Sequence, residues 1–142
     1  MDVAEGIEEL RLRAGAVVRS FLTGEARPAV ERLRPPGGDV GLFGPGSATW
    51  QVHGDLAMVV GGVRALFLQM LHPLAMAAVA DHSDYRTNGL GRLHRTAGFL
   101  AATTFGSTAV AEQAIAAVRA VHERVSGVAP DGRPYRASDP HL

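Results

Sequence analysis

The sequence predicts an all-α protein: an irregular bundle of about five to six helices with a Gly/Pro-rich loop at residues 35–47. Three observations predict it. Apolar residues recur every three or four positions in successive windows, the signature of amphipathic helices. Glycine, proline and capping residues punctuate those windows at helix-length intervals. Apolar residues make up 46% of the 142 against 20% charged, too rich in core-formers for a disordered chain.

The first helix is predicted over residues 3–22, where Val3, Ile7, Leu10, Ala14, Val17, Val18 and Phe21 form one stripe and Gly24 stops it. A short second helix is expected at 28–33, Pro28 being tolerated in a first turn. Pro35-Pro36-Gly37-Gly38 then ends regular structure, and a second loop carries Phe43 and Gly44-Pro45-Gly46. Ser47 or Thr49 can cap the next helix, which carries Trp50, Val52, His53, Leu56, Met58 and Val59 up to Gly61-Gly62. The stretch at 63–80 is hydrophobic nearly all round, so it is predicted as the buried centre of the bundle, kinked by Pro73 beside His72.

Residues 81–88 read as a polar connection, followed by a helix over about 90–105 with Gly106 as its C′ residue. Ser107 or Thr108 opens the next, with Val110, Ile115, Val118, Val121 and Val125 as its stripe and Gly127 as its end. Pro130-Asp131-Gly132 is a turn signal, so residues 128–138 are expected to form an irregular excursion or hairpin. Asp139 as N-cap and Pro140 at N1 signal one more helix start. The chain therefore reads as an N-terminal helical segment over 1–34 and a partial helical domain over 41–142, the N-terminal part of a longer ancestral domain.

Formal charge is zero and the pI about 7.0, so no basic face is available to neutralise phosphates and no nucleic-acid partner is expected. All 14 basic residues are Arg, which excludes a Schiff-base or P-loop lysine. Cysteine is absent, so disulfides and thiolate metal sites are excluded. Acidic and basic residues interrupt the first thirty positions where a signal peptide needs an apolar run. The apolar region 56–80 is long enough to cross a bilayer but contains Arg64, Gln69, His72 and Pro73, so it reads as a core helix and the protein as cytoplasmic.

Several polar groups could carry chemistry. Asp81-His82-Ser83-Asp84-Tyr85-Arg86 holds metal-capable side chains, and its bland reading is a helix-ending loop with capping residues. A metal-dependent hydrolase on His72, His82, Asp81 and Asp84 is the weaker alternative. His72 reads as a hydrogen-bonded core histidine beside Pro73, and also counts as a candidate cofactor contact. His122 reads as part of a solvated helix face. Arg92 and Thr96, four apart, share a helix face with Arg95 where that helix enters an apolar run. Guanidinium groups at a core boundary need acceptors: a carboxylate, a bound anion or a polar cofactor edge.

The ordered strings Phe43-Gly-Pro-Gly-Ser47, Trp50-Gln-Val-His53, Gly61-Gly-Val-Arg-Ala-Leu66 and Leu71-His-Pro-Leu74 resemble the start of a known family. Asp81-His-Ser-Asp-Tyr-Arg86, Gly91-Arg-Leu-His-Arg-Thr96, Thr103-Thr-Phe-Gly106 and Asp139-Pro-His141 continue the pattern. Together they are similar to the catalytic domain of the ER-bound oxygenases and rubber oxygenases (latex-clearing proteins). The resemblance implies an all-helical oxidoreductase with haem b that activates dioxygen against a hydrophobic substrate. It implies that Arg92 and Thr96 stand near the haem and that Arg95 takes the place of a distal lysine ligand. Since arginine does not deprotonate at ordinary pH, an open or water-occupied distal position is expected. The resemblance further puts the axial histidine on the helix opened by Asp139-Pro140, where His141 is the one histidine in this sequence. The competing reading is a non-catalytic helical fragment or partner-binding module, whose exposed apolar surface would drive self-association.

Overall fold

The computed structural model describes residues 2, 5–7, 9, 38–55 and 57–140. Five helices follow one another there: α1 (Ala48–Gly54), α2 (Ala57–Met70), α3 (Pro73–His82), α4 (Gly89–Phe105) and α5 (Thr108–His122). A small antiparallel hairpin, β1 (Ser126–Val128) and β2 (Pro134–Arg136), completes the order. Of the helix expected over 3–22, residues 5–7 and 9 are helical and the rest lies outside the described residues, as does the short helix expected at 28–33.

Capping chemistry sets most boundaries. Ser47, Asn88 and Ser107 are N-caps of α1, α4 and α5, each side chain accepting from a backbone N–H three residues on. A second device secures α5. The Asp39 carboxylate accepts from the Gly41 and Thr108 backbone N–H groups at 2.8 and 2.9 Å and from the Thr108 hydroxyl at 3.0 Å. Those bonds hold the Asp39 carboxyl below its ordinary value, the Gly41 N–H contributing most. Gly41 lies at φ +69°, and a Cβ there would collide with the Gly106 carbonyl, so the loop can lie this close only as glycine.

Because its folded pKa is depressed, Asp39 stabilises the fold above its unfolded pKa, and that contribution disappears as pH falls through the folded value. Asp39→Asn is therefore expected to lower the melting temperature by roughly 3–6 °C at pH 7. It should also flatten the loss of stability as pH falls below about 4, read in thermal melts at successively lower pH.

Two boundaries differ from the sequence expectation. The break after α1 falls at Asp55 rather than at Gly61-Gly62, which lie inside α2. The Asp55 side chain accepts from the Ala57 N–H at 2.8 Å, a local bond that competes with helix continuation. The apolar stretch 63–80, predicted as one kinked helix, is two helices that meet at 99°. Proline disfavours helical geometry in the residue before it, and His72 is extended (φ −94°, ψ 107°). Its Nδ1 accepts from the Ala75 N–H at 3.2 Å, so His72 caps α3 from an exposed position rather than sitting in a core.

The expected buried centre is also corrected. None of the described α2 residues is buried, Val60 and Phe67 being 74% and 65% exposed, and Leu71 just after the helix is 78% exposed. The buried apolar set is Ala77, Ala111, Ala129 and Tyr135. Its largest cluster joins Ala77 of α3 to Ala129 and Tyr135 of the hairpin, with Leu74, Ala78 and Val125 packed on it. Elsewhere α4 lies along α5, and Trp50 meets Phe105 edge to face at 4.8 Å, which fixes α1 on α4.

The hairpin arises where the turn signal placed it. Gly127, expected to end α5, instead lies in β1 opposite Tyr135, while α5 ends at His122. A Cβ on Gly127 would overlap the Tyr135 hydroxyl end, so the tyrosine can lie this close only over glycine. Gly127→Ala is expected to displace Tyr135 and lower the melting temperature by several degrees, measurable by circular dichroism. No single helix among the described residues is long and apolar enough to cross a membrane.

Candidate functional site

The ends of α3, α4 and α5 frame an open cleft of about 620 Å³. That falls within the range of ligand-binding clefts, about 300–1,000 Å³. Helix α4 contributes Arg92 and Arg95, α5 contributes His122, and α3 contributes His82. Ala75, Ala78, Val79, Val121 and Val125 supply apolar lining, and Gln69 stands at the end of α2.

The two arginines are held differently. Arg92 is half-buried, and its guanidinium donates to the Gln69 side-chain oxygen at 3.4 Å. Arg95 pairs with Asp84 at 2.5 Å, both side chains being exposed, so the pair orients Arg95 more than it stabilises the fold. Thr96 is exposed and outside the lining, its hydroxyl donating to the Arg92 carbonyl at 3.1 Å. The arginines are thus brought to one cleft, while Thr96 is turned back on its own helix. His72 caps α3 at its far end, and His141 lies outside the described residues.

The hydrolase alternative loses its cluster. His72 and His82 occupy opposite ends of a ten-residue helix, about 15 Å long. Asp81 is engaged by Tyr135 and Asp84 by Arg95. Among the described residues no group of three or more His, Asp or Glu side chains is placed to hold a metal ion.

Two features of the site escape the sequence reading. His122 is exposed, as its solvated helix face predicts, and also borders the open cleft, which that reading does not foresee. The available signal was its position four residues after Val118 and three before Val125, on the margin of the apolar stripe. The other is a set of contacts between α3 and the hairpin. The Tyr135 hydroxyl donates to Asp81 Oδ2 at 2.5 Å, and the Tyr135 ring meets the His82 ring edge to face at 6.1 Å. His82 Nε2 stands 3.2 Å from the Ser126 carbonyl. No spacing rule links residues 81–82 to 126 and 135; only the fold does. The bond to Asp81, with burial second, pushes the Tyr135 pKa up to about 12.

Chemically, the open cleft offers two imidazoles, two guanidinium groups and two carboxylates, Asp84 and Asp139, beside its apolar side chains. The apolar side chains suit an apolar ligand body, Arg92 can meet an anionic edge while Arg95 is paired with Asp84, and either imidazole is a potential metal donor.

A family model described as "ER-bound oxygenase mpaB/B'/Rubber oxygenase, catalytic domain" matches residues 50–142. No curated protein and no solved structure matches the chain.

Proposed function

The chain belongs to the ER-bound oxygenase mpaB/B'/rubber oxygenase catalytic-domain family, and from that premise we propose that it is an oxygenase-type oxidoreductase that takes haem b and a hydrophobic substrate in the cleft between α3, α4 and α5. The observation that carries this reading is the convergence of His122, Arg92 and Arg95 on one open cleft of mixed polar and apolar lining inside the matched span. The donor set fits the group. Guanidinium groups bind carboxylates through charge-assisted hydrogen bonds, so Arg92 and Arg95 would take the haem propionates. Among the described residues His122 would supply an imidazole to the group; His141, expected from the sequence for that part, lies outside them. Bound there, haem supplies dioxygen activation.

The chain's own residues do the rest. Val79, Val121 and Val125 would give an apolar substrate its contacts on one side of the cleft. The Thr96 hydroxyl bond to the Arg92 carbonyl keeps to the α4 backbone, so the only side-chain partner a ligand would have to share on the Arg92 guanidinium is Gln69 among the described residues. Neither arginine is expected to coordinate iron, because guanidinium carries no lone pair to give at ordinary pH.

The test is reconstitution. Haemin added to folded protein should give a shifted Soret band that saturates at one equivalent; a spectrum identical to free haemin rejects the proposal. The exposure of α2 favours a second reading, in which the chain pairs through apolar surface at Val60, Val63, Phe67 and Leu71. Light scattering should then show mass rising with concentration and returning to the monomer in Phe67→Glu.

A further inference from the structure

We propose that Asp84 is a specificity-determining residue of the cleft: it competes with a ligand's anionic group for the Arg95 guanidinium, so Arg92 is the first anchor for such a group. The inference rests on the reading of the cleft as a site for a ligand with an apolar body and an anionic edge. It concerns a carboxylate to which the haem proposal gives no part.

Arg92 and Arg95 lie three apart on α4 and both line the cleft, yet they meet different partners. Arg92 donates to the Gln69 side-chain oxygen at 3.4 Å, a long bond to a neutral amide. Arg95 donates to Asp84 Oδ1 at 2.5 Å, and Asp84 is itself part of the lining. An incoming carboxylate therefore exchanges places with an amide at Arg92 but with a full opposite charge at Arg95.

Asp84 is the fixed partner of that pair. It lies in the turn between α3 and α4, where its carbonyl accepts from the Thr87 and Asn88 backbone N–H groups at 3.0 and 2.7 Å. The Thr87 hydroxyl donates to the same carbonyl at 3.2 Å. The Asp84 Oδ2 accepts from the Asn88 side chain at 3.4 Å, while the Asn88 oxygen caps α4 through the Gly91 N–H. Asn88 and Arg95, seven positions apart, thus hold one carboxylate against the first two turns of α4. Arg95 has a long, flexible stem and is 59% exposed, so it can change partner while Asp84 stays.

Because water screens the pair, the competition sets a preference and does not close the cleft. The expected ligand class is an apolar body with one anionic end. A second anionic group reaches Arg95 only in exchange for Asp84.

Octanoate and 1-octanol, a carboxylate and its neutral counterpart, test this without haem. Binding is followed by nuclear magnetic resonance of the valine methyl groups, which report from Val79, Val121 and Val125 in the lining. Asp84→Asn should tighten octanoate about two- to five-fold, the worth of an exposed ion pair, and leave octanol unchanged. Asp84→Ser should reproduce the gain, and both variants should melt within about 3 °C of the wild type. In an Arg95→Gln background the gain should shrink to less than about 1.5-fold, because the competition acts through Arg95. Octanoate binding unchanged by either Asp84 variant, an equal gain for octanol, or the full gain surviving in Arg95→Gln overturns the assignment. Each of these leaves the apolar-ligand reading standing. Failure of both probes to bind any of the proteins overturns the two together.

Discussion

His122→Ala is expected to weaken haem binding by about 100-fold or more, because it removes the one coordinate bond the chain is proposed to supply. The residue lies at the last position of α5, and its side chain is exposed, so truncation should leave the melting temperature nearly unchanged. That separation makes the result informative. An absorption titration should show the Soret shift lost in folded protein and restored on adding free imidazole. Arg92→Ala should act more mildly, weakening haem about ten-fold while the axial imidazole persists. An Arg95 variant should have a smaller effect still, since Asp84 already occupies that guanidinium.

The second large effect concerns Tyr135. It is the largest of the buried side chains and joins α3 to the hairpin through Asp81, Ala77 and Ala129. Tyr135→Ala is expected to lower the melting temperature by about 10 °C, from the cavity and the lost contacts. Tyr135→Phe keeps the ring and removes only the hydroxyl, so the drop should be about 3 °C. The pH dependence then isolates the Asp81 bond. The Tyr135 pKa is raised from 10.0 to about 12, so the fold favours the neutral phenol. That stabilisation is complete below pH 10 and is lost as pH rises through 12. Thermal melts should therefore show a decline across this window that is absent from Tyr135→Phe.

Much of the fold was legible because its signals are local. Ser47 and Ser107 cap helices whatever lies around them, and Pro130-Asp131-Gly132 turns the chain within a few residues. Pro73 was legible as a disturbance but not as a 99° corner, because the direction α3 takes depends on the hairpin it meets. The same holds for burial. The hydrophobicity of 63–80 suggested a centre, yet burial depends on what other elements cover it, and the small buried set instead gathers at α3 and Tyr135.

The site divided along the same line. Arg92 and Arg95 could be paired from their spacing on one helix, and both line the cleft. Thr96 shared that spacing, but a threonine hydroxyl within a helix can bond the carbonyl four residues back, and it does so here. His82 and His122 come from separate helices 40 positions apart, so only tertiary structure brings them to one cleft.

The most direct measurement locates the haem rather than detecting it. Ferric haemin is paramagnetic, so one equivalent added to isotope-labelled protein should broaden resonances according to their distance from the iron. The account predicts that His122, Val121, Val125 and Arg92 broaden first, while Val60 and Val63 on α2 and the turn at Asp131 stay sharp. Broadening confined to α2, or spread evenly over the chain, would contradict it.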